Sequence, residues 1–219
     1  MTGLVSIATP TFPGRERELL ERCMPSVAAL DWPEVEHVIV SDRNPGLGEQ
    51  VDAVPRREGY TVRYAEINES WRNPTTEKSV GALPWYVASL MALGEYVGFL
   101  GDDDELLPDH AARHVTAMRE TGADFTVSVT EFRAGGQFNC NIGDATFAHC
   151  HLDATGVMCR ATALSVANWN ANGDIAADWR IVRDWQAAGL RGHFLGGAAT
   201  GIHHDGWVIG KSGRPDRPQ

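Results

Sequence analysis

Apolar and polar positions along the 219-residue chain alternate between two periods. Leu4 to Ala8 is a short β-prone apolar run closed by Thr9-Pro10-Thr11, and from Glu16 to Leu30 apolar residues recur near helical spacing at Leu19, Leu20, Cys23, Met24, Val27 and Leu30. The pattern predicts a strand followed by a helix. His37 to Val40, closed by Ser41-Asp42, predicts a second strand, Thr61 to Ala65 a third and Tyr96 to Leu100 a fourth. A helical segment of about Thr76 to Leu93 precedes the fourth strand, and Pro108, suited to a first helical turn, opens another helix running to about Thr121. Asp124 to Val129 reads as a fifth strand.

Strands separated by helices of this length need crossover connections, which makes an α/β fold with a mainly parallel central sheet covered on both faces. Ligands of such open sheets sit beyond the carboxyl ends of the strands. Thr9-Pro10-Thr11, Asp42 and the acidic run after the fourth strand should therefore gather at one edge. After about residue 130 the pattern loosens into Gly- and Asn-rich sequence, which suggests a binding region over Ala134 to Asp153, followed by helices near Ala161 to Trp169 and Asp178 to Ala188. The expected organisation is one domain over residues 1–210, divided at about 130, with a free tail at 211–219.

Composition narrows the partners. With 43% hydrophobic and 22% charged residues, a chain of this length can bury one sizeable core. A formal charge of −10, with Lys and Arg scattered, argues against nucleic acid and anionic membranes, whose binders display basic patches. No apolar run reaches the roughly 18–20 residues of a membrane span, and the N-terminus lacks a signal pattern, so a cytoplasmic protein is expected. Cys23, Cys140, Cys150 and Cys159 are irregularly spaced with no CxxC pair, so reduced thiols are expected. His149-Cys150-His151 with Cys140 makes a poor zinc cluster, because neighbouring strand positions point to opposite faces.

The stretch GDDDELLPD, residues 101–109, places three consecutive aspartates directly after an apolar strand. Carboxylates held together share either a proton or a cation, and hard oxygen ligands favour Mg²⁺ or Mn²⁺, whose shells are commonly completed by water and substrate phosphates. The competing reading is a solvated turn that caps the helix starting at Pro108. Gly101 before the acids and Leu106-Leu107-Pro108 after them pin the run between two buried anchors, which a merely solubilising turn does not need.

Taken in order, VSIATPTF (Val5–Phe12), HVIVSD (His37–Asp42), LGEYVGFLGDDDELLPD (Leu93–Asp109), TGVMCRATAL (Thr155–Leu164), ADWRIVRDWQAAGL (Ala177–Leu190) and HHDG (His203–Gly206) resemble a family 2 glycosyltransferase of the GT-A fold, across nearly the whole chain. The resemblance implies a single Rossmann-like domain, with a nucleotide-sugar half over about 1–130 and an acceptor half over about 131–210. It implies a nucleotide-sugar donor, with a UDP-sugar first, a hydroxyl acceptor, and Mn²⁺ or Mg²⁺ at the donor's diphosphate. Asp102 would lie toward the ribose and either Asp103 or Asp104 would bind the metal, with His203 or His204 beside it. Pro10, Thr11 and Asp42 would frame the base, although Ser41-Asp42-Arg43-Asn44 stands where relatives carry Asp-Asp-Gly-Ser. Lys78 would reach a phosphate, and Asp178, within Ala177-Asp178 rather than the usual Glu-Asp, would be the base of an inverting transfer. Thr155 and Gly156 fall in the acceptor-side segment. Trp179 and Trp207 are the candidate sugar-stacking rings among otherwise core-type tryptophans such as Trp71, Trp85, Trp169 and Trp185. The chain is short for the family, so a partner or a second copy completing the acceptor side is an expected arrangement.

Other classes fit less well. Gly46-Leu47-Gly48-Glu49-Gln50-Val51 lacks the third glycine of a dinucleotide fingerprint and follows the second strand rather than the first. A metal-dependent nucleotidyltransferase would carry a Gly-rich basic loop after its first strand, where this chain has Thr9-Pro10-Thr11-Phe12-Pro13-Gly14-Arg15. A carbohydrate-binding module without turnover has no need of the aspartate run, Asp178 and the His pair together.

Overall fold

The computed structural model describes residues 3–68, 82–148, 151–166, 177–204, 208–209 and 215–216. Its strands are β1 (Val5–Thr11), β2 (Val35–Asp42), β3 (Tyr60–Ile67), β4 (Tyr96–Phe99), β5 (Glu105–Leu106), β6 (Phe125–Ser128), β7 (Thr130–Ala134), β8 (Gln137–Ile142), β9 (Val157–Arg160), β10 (Gly192–Leu195), β11 (Gly201–His204), β12 (Val208–Ile209) and β13 (Pro215–Asp216). Seven of them form the main sheet in the order β10-β6-β9-β4-β1-β2-β3, and β5-β11-β7-β8 form a second. The main sheet is parallel except for β9, which runs antiparallel to both β4 and β6.

Every residue of β1 and β2 is buried, because both faces of the sheet are covered. The two-residue period divides their side chains: Val5, Ile7, Val35 and Ile39 enter one core cluster, and Ala8, Val38 and Val40 the other. The first cluster packs under the helical run Glu16–Glu18, Leu19–Cys23 and Met24–Ala28, whose middle piece is a π-turn, and under the helices Leu47–Ala53 and His110–Thr121. The second packs under Ala82–Met91 and Ala177–Ala187, with Trp185 wholly buried. Pro10 is tolerated in β1 because it lies beyond Ala8, the last β1 residue paired to β4.

The elements differ from the sequence pattern in four places. Leu47–Ala53, the near-match to a dinucleotide loop, is a short helix entered through Gly46 in a left-handed conformation (φ 87°). The region from Ala134 contains a hairpin, β7 and β8, turned at Gly135 and Gly136 with φ 56° and 78°; a two-residue loop with both positions left-handed matches the strand twist, and glycine adopts it without strain. Ala161–Val166 is a 3₁₀ segment where an α-helix was expected over Ala161 to Trp169, residues 167–169 lying outside the described residues. Val157–Arg160, to which the pattern assigned no element, is a strand threaded into the middle of the main sheet. Of the helix expected over about residues 76–93, the part over Ala82–Met91 is present, Ala92 and Leu93 follow its end, and residues 76–81 lie outside the described residues, as do most of the tail and Cys150. Cys23, Cys140 and Cys159 are free thiols.

Candidate active site

The carboxyl ends of β1, β2 and β4 meet at one edge of the sheet, where parallel pairing sets Thr11 beside Ser41. Thr11 Oγ1, Ser41 Oγ, Asp42 Oδ1 and, after β4, Asp102 Oδ2 are buried there and make no hydrogen bond of good geometry among the described residues, although the Thr11 hydroxyl lies near enough to Asp102 to pull on its carboxyl. The nearest cation to Asp42 Oδ1 is Arg43 Nε at 3.4 Å. A folded chain rarely buries four such groups together unpaired, because each forfeits hydration without compensation. They are donors and acceptors able to meet a polar ligand. Tyr64, whose buried hydroxyl lies by Ser41 and whose titration is pushed up by burial, extends the same surface.

The aspartate run turns back on itself just past this edge, with the Asp104 N–H donating to Gly101 O at 3.2 Å. Gly101 is required by closeness: a Cβ there would meet Asp104 Oδ2 at 2.7 Å. The three carboxylates then separate. Burial, with repulsion from Asp103 second, raises Asp102 to about 7, against the pull of the Thr11 hydroxyl and Arg15. Asp103 points to Arg15, with Nη1 to Oδ2 at 2.8 Å, while Arg22 Nη1 donates to its carbonyl at 2.9 Å. Burial, then Asp104, still raises its carboxyl. Asp104 turns inward, where Oδ1 accepts from the His204 N–H at 2.9 Å and Oδ2 from Thr155 Oγ1 at 3.1 Å.

The second sheet delivers the histidines. β11 pairs antiparallel with β5 (Ile202 opposite Glu105) and parallel with β7, which carries His203 to the aspartate run. Alternation along β11 settles which His points in. His203 Nδ1 lies 3.2 Å from Asp104 Oδ2 and 3.4 Å from Asp153 Oδ2, whereas His204 Nε2 turns to Glu105 Oε1 at 2.6 Å. Burial alone would lower His203, but Asp153, Asp104 and Asp103 outweigh it and raise the imidazole to about 10. In the cation-free chain the protonated ring is thus the counter-charge to these carboxylates, and a metal bound there would have to displace that proton.

Asp178 opens the helix Ala177–Ala187, its Oδ1 accepting from the Trp179 N–H at 2.7 Å. Burial, with repulsion from Asp153 second, raises it to about 7, and His203 pulls the other way. These couplings put Asp178 alongside the same cluster. A carboxyl near 7 that forms no salt bridge among the described residues suits proton transfer at neutral pH.

The sequence-level candidates therefore sort as follows. Pro10, Thr11, Asp42 and Asp102 share the sheet edge, and Asp104 and His203 converge. Asp103 and His204 do not join them, because Arg15 and Glu105 hold their side chains elsewhere. Thr155 and Gly156, expected on the acceptor side, are buried; the Thr155 hydroxyl holds Asp104, and a Cβ on Gly156 would meet Ser128 O at 2.8 Å. Trp179 is partly exposed beside Asp178, with the Arg183 guanidinium 5.5 Å from its ring. Lys78 and Trp207 lie outside the described residues, as do Trp71, Trp169 and His149. His151 pairs with Asp144 at 2.5 Å rather than with a cysteine. Asp153 was missed. Its only sequence signal is an Asp two residues before Thr155, which also reads as an ordinary cap of the short turn Ala154–Gly156.

Among the described residues no helix is long and apolar enough to cross a membrane. No protein-family model matches the chain, and no curated protein matches it in sequence. Solved structures do match its shape. S. aureus TarS 1–349, crystallised with UDP, superposes with a TM-score of 0.68 at 16% identity over 92% of this chain and 60% of that one. Its complex with UDP-GlcNAc gives 0.67 at 17% identity, over 92% of this chain and 58% of that one. The mannosyltransferase PcManGT from Pyrobaculum calidifontis, in complex with GDP-Man and Mn²⁺, gives 0.65 at 12% identity over 96% and 58%. The chain spans about 60% of the length of the TarS fragment. Its fold, a large mostly parallel sheet flanked by helices with a smaller second sheet, is that of these glycosyltransferase structures.

Proposed function

We propose that the chain is a metal-dependent inverting glycosyltransferase that moves a sugar from a nucleotide-diphosphate donor, a UDP-sugar first, to an acceptor hydroxyl. One observation carries the reading. Unpaired buried polar atoms at the ends of β1, β2 and β4 lead into the Asp104–His203 pair, with the raised carboxyl of Asp178 beside it. A nucleotide needs the first of these, a diphosphate leaving group the second, and a nucleophilic hydroxyl the third.

Asp42, with an unpartnered Oδ1, accepts from the imino N–H of a uracil-type edge, and Thr11 and Ser41 offer hydroxyls beside it. Asp102 faces the ribose. Asp104 and His203 would hold Mn²⁺ or Mg²⁺, which when bound would supply charge neutralisation for the departing diphosphate. Asp178 takes the proton of the acceptor hydroxyl as its oxygen bonds to the anomeric carbon. The bond from that carbon to the diphosphate breaks on the opposite face, so the nucleoside diphosphate leaves with the electron pair and the configuration inverts. Thr155 acts inside the site rather than on the acceptor, and Trp179 is the ring available to an acceptor sugar. The fold likeness to TarS and PcManGT, whose structures hold UDP, UDP-GlcNAc and GDP-Man with Mn²⁺, supports the donor class.

The test is product analysis with UDP-, GDP-, TDP- and CDP-sugars, with and without Mn²⁺. Metal-dependent release of a nucleoside diphosphate is expected. Release of pyrophosphate from a nucleoside triphosphate and a sugar phosphate would instead identify a nucleotidyltransferase.

A further inference from the structure

A residue outside every recognised motif completes the acidic cluster. Asp153 belongs neither to the aspartate run nor to β11, yet one of its oxygens, one of Asp104's and a ring nitrogen of His203 all lie within 4.8 Å of one another. A single residue keys both carboxylates: the Thr155 N–H donates to Asp153 Oδ1 at 3.0 Å and its hydroxyl to Asp104 Oδ2 at 3.1 Å. The third member is fixed separately. The His203 ring stacks on Phe132, with centroids 4.4 Å apart, and its Nδ1 is buried between the two carboxylates with hydrogen-bond geometry to neither. A ring nitrogen this close to oxygens of two different carboxylates is placed where one divalent cation can replace its proton and bridge all three groups.

We infer that Asp104, Asp153 and His203 form a three-ligand site that takes up a divalent cation such as Mn²⁺ without nucleotide, with Thr155 as the residue that positions both carboxylates. The inference rests on the glycosyltransferase reading only in that the same cation would serve the donor. Mg²⁺ and Mn²⁺ take from water and phosphates whatever part of their shell the protein does not supply, so an Asp–His pair alone would leave uptake dependent on the donor. A second carboxylate from the loop before β9 removes that dependence. The imidazole nitrogen selects Mn²⁺ over Mg²⁺, which prefers oxygen.

The experiment titrates Mn²⁺ into the nucleotide-free full chain and reads free Mn²⁺ by electron paramagnetic resonance, with no turnover involved. One equivalent is expected to bind before any nucleotide is added. Asp153→Asn, which keeps an oxygen to accept from the Thr155 N–H, is expected to weaken binding at least about 10-fold. Thr155→Val is expected to weaken it by roughly 10- to 100-fold, with Thr155→Ser restoring most of the loss. Far-UV circular dichroism confirms that each variant is folded, and the Thr155 pair decides the matter should Asp153→Asn fail to fold. Binding only after UDP is added, or unchanged affinity in Asp153→Asn and Thr155→Val, would overturn the inference and leave the proposed function standing. No binding with or without UDP would overturn both, with His203 then serving as a permanent internal counter-ion.

Discussion

Replacing Asp178 with Asn should cost rate and add stability, and the structure sets both amounts. Asn retains an oxygen for the Trp179 N–H, so the start of the helix is kept, but it cannot accept the acceptor's proton. Loss of a general base lowers turnover by about 10²- to 10⁴-fold, or roughly 3–5 kcal/mol in activation free energy. For stability, the carboxyl stands at about 7 in the fold against its ordinary 3.8. A carboxyl raised by folding favours the folded state below its unfolded pKa, and that support is lost as pH climbs through the folded value. Ionised Asp178 therefore costs the fold roughly 4 kcal/mol at about pH 8 and roughly 1.5–2 kcal/mol at about pH 5. The Asn variant carries no such charge, so its advantage over the parent should grow by about 2.5 kcal/mol between those pH values, a difference of ~5–10 °C in Tm for a chain of this size. The assays are Mn²⁺-dependent UDP release from a UDP-sugar, and thermal unfolding in chelator at the two pH values. Turnover within a factor of about three of the parent would remove Asp178 from the chemistry. A pH-independent difference in Tm would show that its charge is not held in a repelling, water-poor site.

Three further outcomes follow from the same geometry. Asp104→Ala should abolish Mn²⁺-dependent UDP binding by calorimetry, while Asp103→Ala, which loses only a partly exposed pair with Arg15, should bind within a few-fold of the parent and change stability by no more than about 1 kcal/mol. Gly101→Ala should weaken Mn²⁺ binding more than it lowers Tm, because the new methyl carbon would stand 2.7 Å from Asp104 Oδ2 and must displace that carboxylate; unchanged affinity would mean the run relaxes freely. His37 is buried and held to about 3 by burial, so its support for the fold is present above about 6.5 and drains as pH falls; the stability gap between the parent and His37→Gln should narrow by about 2 kcal/mol from about pH 8 to about pH 5, measured by urea unfolding.

What the sequence determined by itself was whatever depends on short-range pattern. Apolar runs four to eight residues long, separated by helical spacing, dictate parallel strands buried on both faces, and β1, β2, β3, β4 and β6 appear where the pattern puts them. Chain direction then brings Thr11, Asp42 and Asp102 to one edge without knowledge of any contact. Tertiary structure alone decided what hangs on pairing between distant segments. Antiparallel β9 slots between β4 and β6, a place that nothing in the local pattern of Val157–Arg160 distinguishes from that of any other apolar run. The same holds in the site. Three adjacent aspartates are chemically equivalent in sequence, and only Arg15, 88 positions away, and Thr155, 51 positions away, separate Asp103 from Asp104. The register of β11 against β5 and β7 chooses His203 over His204, and the turn before β9 brings in Asp153. Local propensity acts over a few residues, whereas charge and coordination act over a few ångströms, and only the folded chain relates the two distances.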